Sequence, residues 1–225
     1  RTGYLDNRME FYRTNSMRIP SVSGKIAPEP VYTRSEYEKR IFQVMYDDIR
    51  PLDPAGVLHH EWLNARGAIA RFDRSAIEIR VLDVQECPQA DLAAAYAAAS
   101  TLQRLLSEEW SDLDAQKSAQ TDLLLSIFLQ TIREAENAVI QDRNYLALFG
   151  MGEACTAKEL WEHILSRALN EDSEFAPPLR LMLEQGSLAS RILRRLGDDD
   201  SMENIAAVYG ELADCLEAGR MFTNE

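Results

Sequence analysis

The sequence predicts an α+β fold, in which an antiparallel sheet is followed by a helical bundle. Residues 76–84 alternate between apolar and polar side chains, which is the pattern of a β-strand. From residue 91 onward, apolar residues recur every three or four positions, as they do on one face of an α-helix. We therefore predict a division into residues 1–107, a sheet with its helices, and residues 108–225, a helical region packed on it as part of the same domain or as an appendage.

Composition indicates a globular chain with a core. The 225 residues are 46% hydrophobic and carry a net charge of −13. The first 90 residues are neutral, with 13 basic and 13 acidic side chains, so the acidic excess lies downstream. Basic patches interleaved with aromatic residues are missing, which disfavours nucleic-acid binding. There is neither a run of 18 apolar residues nor an apolar signal core, so we expect a cytoplasmic protein that does not enter the membrane.

Residues upstream of 90 are rich in Pro, Gly and extended segments, so strands are expected to dominate there, with one helix at residues 35–49. We expect the stretch DNRMEFYRTNSMRIP near the N-terminus to be extended. The strand at 76–84 places Glu78 and Arg80 on one face, about 6.5 to 7 Å apart at their Cα atoms.

Downstream, we predict an Ala-rich helix with Leu92, Tyr96, Ala99, Leu102 and Leu106 on its buried face, and a second helix over residues 121–140. Further helix boundaries are indicated by a capping box, by prolines and by terminal glycines. These signals are Thr156 with Glu159, Pro177-Pro178, Gly197, the Asp-Asp-Asp-Ser run before Met202, and Gly219.

The pair Glu78 and Arg80 is the first candidate site. A carboxylate can bind Mg²⁺, and an arginine on the same face can offset the charge that develops during phosphoryl transfer. A Glu-x-Arg pair on a strand is also common as a surface ion pair that stabilises little.

Three arginines spaced five residues apart, Arg8, Arg13 and Arg18, form the second candidate. On an ideal strand this spacing puts Arg13 and Arg18 on opposite faces, so a common ligand would need a bend between them, for which Asn15 and Ser16 are suitable. The alternative is three solvated arginines.

The third candidate is LHHEWLNARGAIARFDR, which brings His59, His60, Glu61, Arg66, Arg71 and Arg74 into a short stretch. Zinc is disfavoured, because adjacent residues on a strand point to opposite faces. The cysteines Cys87, Cys155 and Cys215 lack the spacing of a zinc site and are expected to be reduced thiols, mostly buried.

Two of these segments carry a resemblance to glutamine synthetase: Arg13-Thr-Asn-Ser-Met-Arg18-Ile-Pro, and Ile77-Glu78-Ile79-Arg80-Val81-Leu82-Asp83 followed by an Ala-rich helix. The stretch from DNRMEFYRTNSMRIPS to HHEWLNARGAIARFDRSAIEIRVLDV is more closely similar to the second family of glutamate-cysteine ligases and related carboxylate-amine ligases. The resemblance implies that the sheet is part of a glutamine synthetase-like catalytic barrel.

The resemblance also implies roles for individual residues. Glu78 would be a metal ligand, Arg80 would face the transferred phosphate or the glutamyl substrate, and Arg13 and Arg18 would contact phosphates. Arg71 or Arg66 would meet the substrate carboxylate. Asp83 is assigned a structural role.

The implied activity is ATP-dependent formation of an amide, through an acyl phosphate, between a carboxylate such as that of glutamate and the amine of cysteine or another compound. ATP and Mg²⁺ are the implied cofactors, amino acids are the implied substrates, and a homo-oligomer remains open.

The family's Gly-x-Glu-x-Glu strand and His-rich strand do not occur in these residues. We therefore expect the chain to need the N-terminal half of the same protein and to be inactive alone. The alternatives are a non-catalytic interaction or assembly module, and a ligase for a different amine or a protein tail.

Overall fold

The computed structural model describes residues 3–224, apart from the side chains of Asn15 and Ser16. Helices make up most of it, and two small antiparallel sheets complete an α+β fold with a helical C-terminal region, as the sequence predicts. In residues 3–224, no helix has the length and apolar character needed to cross a bilayer.

The arginine-rich N-terminal segment forms a helix, so the prediction of an extended segment is wrong. Helix α1 spans Asn7–Ser16. Its first turn is capped by Asp6, whose Oδ1 accepts a hydrogen bond of 2.9 Å from the backbone N–H of Met9. Met9 is buried against Ile26 and Ile132, which fixes the helix on the rest of the fold. Side chains one helical turn apart, rather than alternate ones, therefore share a face here.

Helices also dominate the rest of the region before residue 90, contrary to the prediction that strands would. The helix expected at 35–49 is confirmed, and it contains a π-helical turn at Glu38–Phe42. Its buried side chains form a cluster around Met45. The helices of this region are α2 at Pro20–Ser23, α3 at Arg34–Tyr37 and α4 at Gln43–Ile49.

A hairpin of two strands carries the predicted Glu-x-Arg pair. Strand β1 is Ala68–Arg71 and strand β2 is Ala76–Ile79, joined by a 3-10 turn at Phe72–Arg74. The strand is shorter than the predicted 76–84, because β1 offers only four residues to pair with it. One further backbone hydrogen bond, from Arg80 N to Gly67 O, extends the ladder before the chain turns away.

The two faces of this hairpin differ in an unusual way. Ile69 lies opposite Glu78, so the charged side chains share their face with a fully buried isoleucine. The other face is apolar, yet its Ile77 is 70% exposed and Ile79 is 37% exposed. The apolar face of the sheet is therefore uncovered among the described residues.

The Ala-rich helix is present as α5, at Pro88–Leu106, but it buries a different face from the one predicted. Small side chains form the buried face and pack against the downstream helices, whereas the leucines point outward. Alanines allow close approach between helices, and this tight packing overrides the hydrophobic periodicity. The buried residues are Ala90, Ala93, Ala97 and Thr101, and the exposed leucines are Leu92, Leu102 and Leu106.

The helix predicted at residues 121–140 ends early, at Glu134. Ala135 has a positive φ of 47°, which breaks the helix, and Val139 lies in a short strand instead. Strands β3 at Val139–Ile140 and β4 at Cys155–Thr156 pair antiparallel. The helices of this region are α6 at Leu113–Ser118, α7 at Thr121–Glu134, α8 at Arg143–Ala147, α9 at Ala157–Ala168, α10 at Ala176–Gln185, α11 at Leu188–Leu196 and α12 at Met202–Ala218.

The helix boundaries predicted from the capping box, the prolines and the terminal glycines are confirmed. Thr156 and Glu159 form both hydrogen bonds of a capping box at the start of α9. The two prolines lie in the first turn of α10, and glycines follow the last residues of α11 and α12. Local chemistry alone therefore fixes these boundaries.

Contacts cross the predicted boundary at residue 107, where α5 packs against α9 and α10. A buried ion pair joins Arg191 of α11 to Glu86, and both side chains also hydrogen-bond the backbone of Phe222. The three cysteines are free and buried, as predicted. The division into two parts stays a prediction.

Candidate functional site

The β1–β2 hairpin brings Arg71 and Glu78 together. Alternation puts Arg71, Glu78 and Arg80 on the same face of the sheet. Arg71 Nη1 donates a hydrogen bond of 2.6 Å to Glu78 Oε2. Glu78 Oε1 lies 3.0 Å from Arg80 Nε, so each carboxylate oxygen faces a different guanidinium. The predicted pair is therefore part of a larger charged group.

Arg71 is the centre of this group. Its side chain is 8% exposed and contacts two further carboxylates, Asp73 at 3.2 Å and Glu61 at 3.6 Å. Hydrogen bonds from Arg71 hold the pKa of Asp73 below its ordinary value. Burial raises the pKa of Glu61, and the neighbouring Asp73 adds to the rise. Arg71 thus holds three carboxylates, those of Asp73, Glu61 and Glu78, in one place.

Arg80 is held at the edge of the same face. Its Nη2 donates a hydrogen bond of 3.1 Å to the backbone carbonyl of Trp62, and its side chain is 24% exposed. Its Nε is buried against Glu78 Oε1, at 3.0 Å, in a geometry that falls short of a hydrogen bond within residues 3–224. Arg80 therefore presents a partly exposed guanidinium at the edge of this face.

Helix α1 contributes Arg8 and Tyr12, which sequence reasoning did not assign to the site. Arg8 Nη2 donates to Val81 O at 2.9 Å, and Arg8 Nε lies 2.8 Å from Asp83 Oδ2. Tyr12 donates its hydroxyl proton to Ala65 O at 2.9 Å. Burial raises the pKa of Tyr12, and the charges of Arg80 and Arg8 oppose the rise. These contacts clamp α1 to the chain on both sides of the hairpin and give Asp83 a structural partner.

Arg13 and Arg18 are not brought to this group. Arg13 donates two hydrogen bonds to Glu10 of its own helix, at 2.5 and 2.7 Å. Arg18 follows the end of α1 and is exposed, without an ion pair or hydrogen bond to the rest of residues 3–224. Their predicted contacts with phosphates stay predictions, and Arg18 is the one whose guanidinium is free to make them.

The guanidinium of Arg66 finds its hydrogen-bond partners within the protein. Its side chain is buried and pairs with Glu29 through Nε and Nη2, at 2.5 and 2.7 Å. Its Nη1 donates to the carbonyls of Ser21 and Val22 and to Asn64 Oδ1. Of the two arginines predicted to meet a substrate carboxylate, Arg71 therefore lies with Glu78, and Arg66 holds the loop before β1 in place.

A divalent metal would find one suitable carboxylate in this group. Glu78 is 37% exposed and already faces two arginines. Within the described part of the chain, no cluster of three or more His, Cys, Asp and Glu side chains is arranged to hold a metal. Mg²⁺ is commonly held by one or two carboxylates together with substrate phosphates and water. Glu78 fits that partial role, and the remaining oxygens would come from outside this chain.

The signals for Arg8 and Tyr12 were present in the sequence. Asp6 is a good N-cap residue, and a helix beginning after it puts Arg8 and Tyr12, four residues apart, on one face. Glu61 was considered with the two histidines as a metal cluster. In the structure the rings of His59 and His60 contact Tyr46 and Trp62, while Glu61 faces Arg71.

Comparisons with known proteins point to one family. An uncharacterized protein of Archaeoglobus fulgidus is 29% identical to the chain over 219 residues, which are 97% of this chain and 53% of the relative. The chain thus spans about half the length of the curated relative that it matches. No solved structure matches it.

The family model of Glutamate-cysteine ligase family 2 matches residues 1–211, which is nearly the whole chain. The match covers the hairpin with Glu78 and Arg80, helix α1 and most of the helical region. The chain belongs to the glutamate-cysteine ligase family 2.

Proposed function

We propose that this chain is part of an ATP-dependent carboxylate-amine ligase that forms an amide between the carboxyl group of an amino acid such as glutamate and the amine of cysteine or a similar compound. The observation that carries the proposal is the shared face of the hairpin, where the carboxylate of Glu78 lies between the guanidinium groups of Arg71 and Arg80. Family membership supplies the reaction class.

Each of these side chains has a distinct task in the proposal. When bound, ATP would supply the phosphoryl group that activates the substrate as an acyl phosphate, and Mg²⁺ would offset the phosphate charge. Glu78 would offer an oxygen to the metal. Arg80, whose guanidinium is partly exposed, would face the negative charge on the transferred group. Arg71 would keep Glu78 in place, because a fixed carboxylate needs little rearrangement when the reaction begins.

We also propose that the site is completed by residues outside this chain. Within residues 3–224, the hairpin pairs with no third strand, its apolar face is uncovered, and no group of three or more side chains is arranged to hold a metal. Two-stranded hairpins are marginal by themselves, so further strands would stabilise this one. The remaining half of the ligase would supply them, and the chain alone would be inactive. Buried free cysteines fit a reducing compartment, so the proposed location is the cytoplasm.

The test is phosphate release by the longest polypeptide that the gene encodes, with ATP, Mg²⁺, glutamate and a panel of amines that includes cysteine. The proposal expects release that depends on both the carboxylate and one of the amines. The 225-residue chain, assayed beside it, should release none.

The second candidate function is a non-catalytic interaction module, which the outward-facing leucines of α5 favour. It expects no phosphate release with any amine and no binding of ATP with Mg²⁺ to the longest polypeptide. Those two results together would replace the ligase proposal with that of an interaction module.

A further inference from the structure

Helix α5 carries a continuous apolar stripe on its outer side. The residues of this stripe, which we call the leucine stripe, are Leu92, Ala95, Ala99, Leu102 and Leu106, and all five are exposed. Their spacing alternates between three and four residues, which keeps them on one face of the helix. The helix has 19 residues and is therefore about 28 Å long, and the stripe runs along most of it.

The exposure along the stripe is large. Leu92 is 57% exposed and Leu106 is 70% exposed. Single exposed leucines are normal, but a row of them along one helix is typical of a face that another element covers. The two alanines between the leucines provide space into which side chains of a partner can fit.

We propose that the leucine stripe is the surface on which the remaining half of a full-length ligase packs. The inference rests on the proposed function, because it names the partner that completes the same site. A polypeptide of the relative's length has room for a second body about as large as this chain, which spans 53% of that relative.

The hairpin supports this choice of occupant. Its apolar face, with Ile77 and Ile79, is uncovered as well, and it precedes α5 by only a few residues. The intervening Leu82 and Val84 are also exposed. Only residues 80–87 separate the two elements along the chain, so one added body with an apolar surface would be within reach of both.

A second copy of the chain is a less suitable occupant. The chain carries a net charge of −13, so two copies that approach each other repel. The leucine stripe is therefore assigned to contact within the ligase rather than between copies.

Thiol labelling in the longest polypeptide that the gene encodes tests this assignment. Leu92→Cys and Leu106→Cys report on the stripe, and Leu52→Cys is a matched control, since Leu52 is 71% exposed in the turn after α4 and belongs to no apolar row of a helix. The native cysteines are buried. We expect maleimide to label the thiols at positions 92 and 106 at least tenfold more slowly than the thiol at position 52. Equal rates at the three positions would overturn the assignment.

Two further measurements test whether a second copy covers the stripe and whether the result holds without any substitution. Slow labelling that becomes fast on dilution, together with a dimer-to-monomer change in mass, would show that a second copy covers the stripe and would overturn the assignment. Hydroxyl-radical footprinting of the unsubstituted protein gives the same comparison of Leu92, Leu106 and Leu52 without any variant. It should modify Leu52 most, and equal modification would again contradict the assignment.

Ligase activity, measured on the same samples, distinguishes this inference from the proposed function. Slow labelling of the stripe in a polypeptide without ligase activity would support the interface while removing the function. Fast labelling in an active ligase would overturn the interface and leave the function in place.

Discussion

Arg71 Nη1 lies 2.6 Å from Glu78 Oε2, across the two strands of the hairpin. The same guanidinium contacts Asp73 and Glu61, so one buried cation is shared by three carboxylates. This sharing makes the position of Glu78 dependent on Arg71. A substrate carboxylate that binds Arg71 or Arg80 would compete with Glu78 for that guanidinium.

Replacing Arg71 tests this dependence. Arg71→Ala should lower the midpoint of thermal unfolding, because three neighbouring carboxylates lose their common counter-charge. Arg74→Ala is the matched control, since Arg74 is exposed and its ion pair with Asp73 is 3.6 Å long. Equal midpoints for the two variants, measured by circular dichroism, would contradict the central position of Arg71.

The buried pair of Arg191 and Glu86 should be a major contribution to stability. Arg191→Met leaves Glu86 buried without its counter-charge and removes a donor to Phe222 O, so we expect a loss of about 3 to 5 kcal/mol in the free energy of unfolding. Arg195→Met, on the same helix, breaks an exposed pair with Glu211 and should cost less than about 1 kcal/mol. Urea unfolding measures both, and similar losses would argue against this role of the buried pair.

Acid should weaken the contact between Glu29 and Arg66. Burial of Glu29 opposes ionisation, but the hydrogen bonds and charge of Arg66 outweigh it and hold the pKa of Glu29 below its ordinary value. A depressed folded pKa contributes stability above the unfolded pKa of about 4.3, and this contribution is lost as pH falls toward the folded value.

Urea unfolding of Glu29→Gln between pH 3 and 7 measures that contribution. The difference in unfolding free energy between the wild-type protein and Glu29→Gln should be largest near neutral pH and shrink as the pH falls below about 4.3. Glu38→Gln makes the same change in charge at an exposed ion pair with Arg34 and controls for net charge. A difference that does not depend on pH would show that the pKa of Glu29 is not depressed.

The capping box of α9 should make a smaller, local contribution to the free energy of unfolding. Thr156→Ala removes the side chain that accepts from Glu159 N at 3.1 Å, and it should cost about 1 kcal/mol of unfolding free energy. Ser166→Ala, at an exposed hydroxyl on the same helix, is expected to cost less. The cap assignment fails if the two losses, compared in urea, are the same.

Sequence reasoning succeeded where local chemistry decides the structure. The capping residues Thr156 and Glu159, the prolines of α10 and the glycines after α11 and α12 each act within one helical turn, so their signals are readable from a single sequence. The pairing of Glu78 with Arg80 was readable for the same reason, because alternation along a strand fixes their common face.

Sequence reasoning failed where packing between residues that are distant in the chain decides the structure. The leucines of α5 have the periodicity of a buried face, but the alanine face is the one that packs against α9 and α10. The segment with Arg8 and Arg13 was expected to be extended, like most of the region before residue 90, while the cap at Asp6 and the burial of Met9 make it a helix. The contact of Arg71 with Glu61 joins residues ten positions apart through a turn that the sequence pattern does not specify.

The central claim, that the carboxylate of Glu78 takes part in an ATP-dependent ligation, is tested most directly by comparing Glu78→Gln with Glu38→Gln in the longest polypeptide that the gene encodes. Both variants remove one carboxylate from an ion pair with arginine. Amine-dependent phosphate release should fall at least about a hundredfold in Glu78→Gln and stay unchanged in Glu38→Gln. Equal release by the two variants would contradict the account.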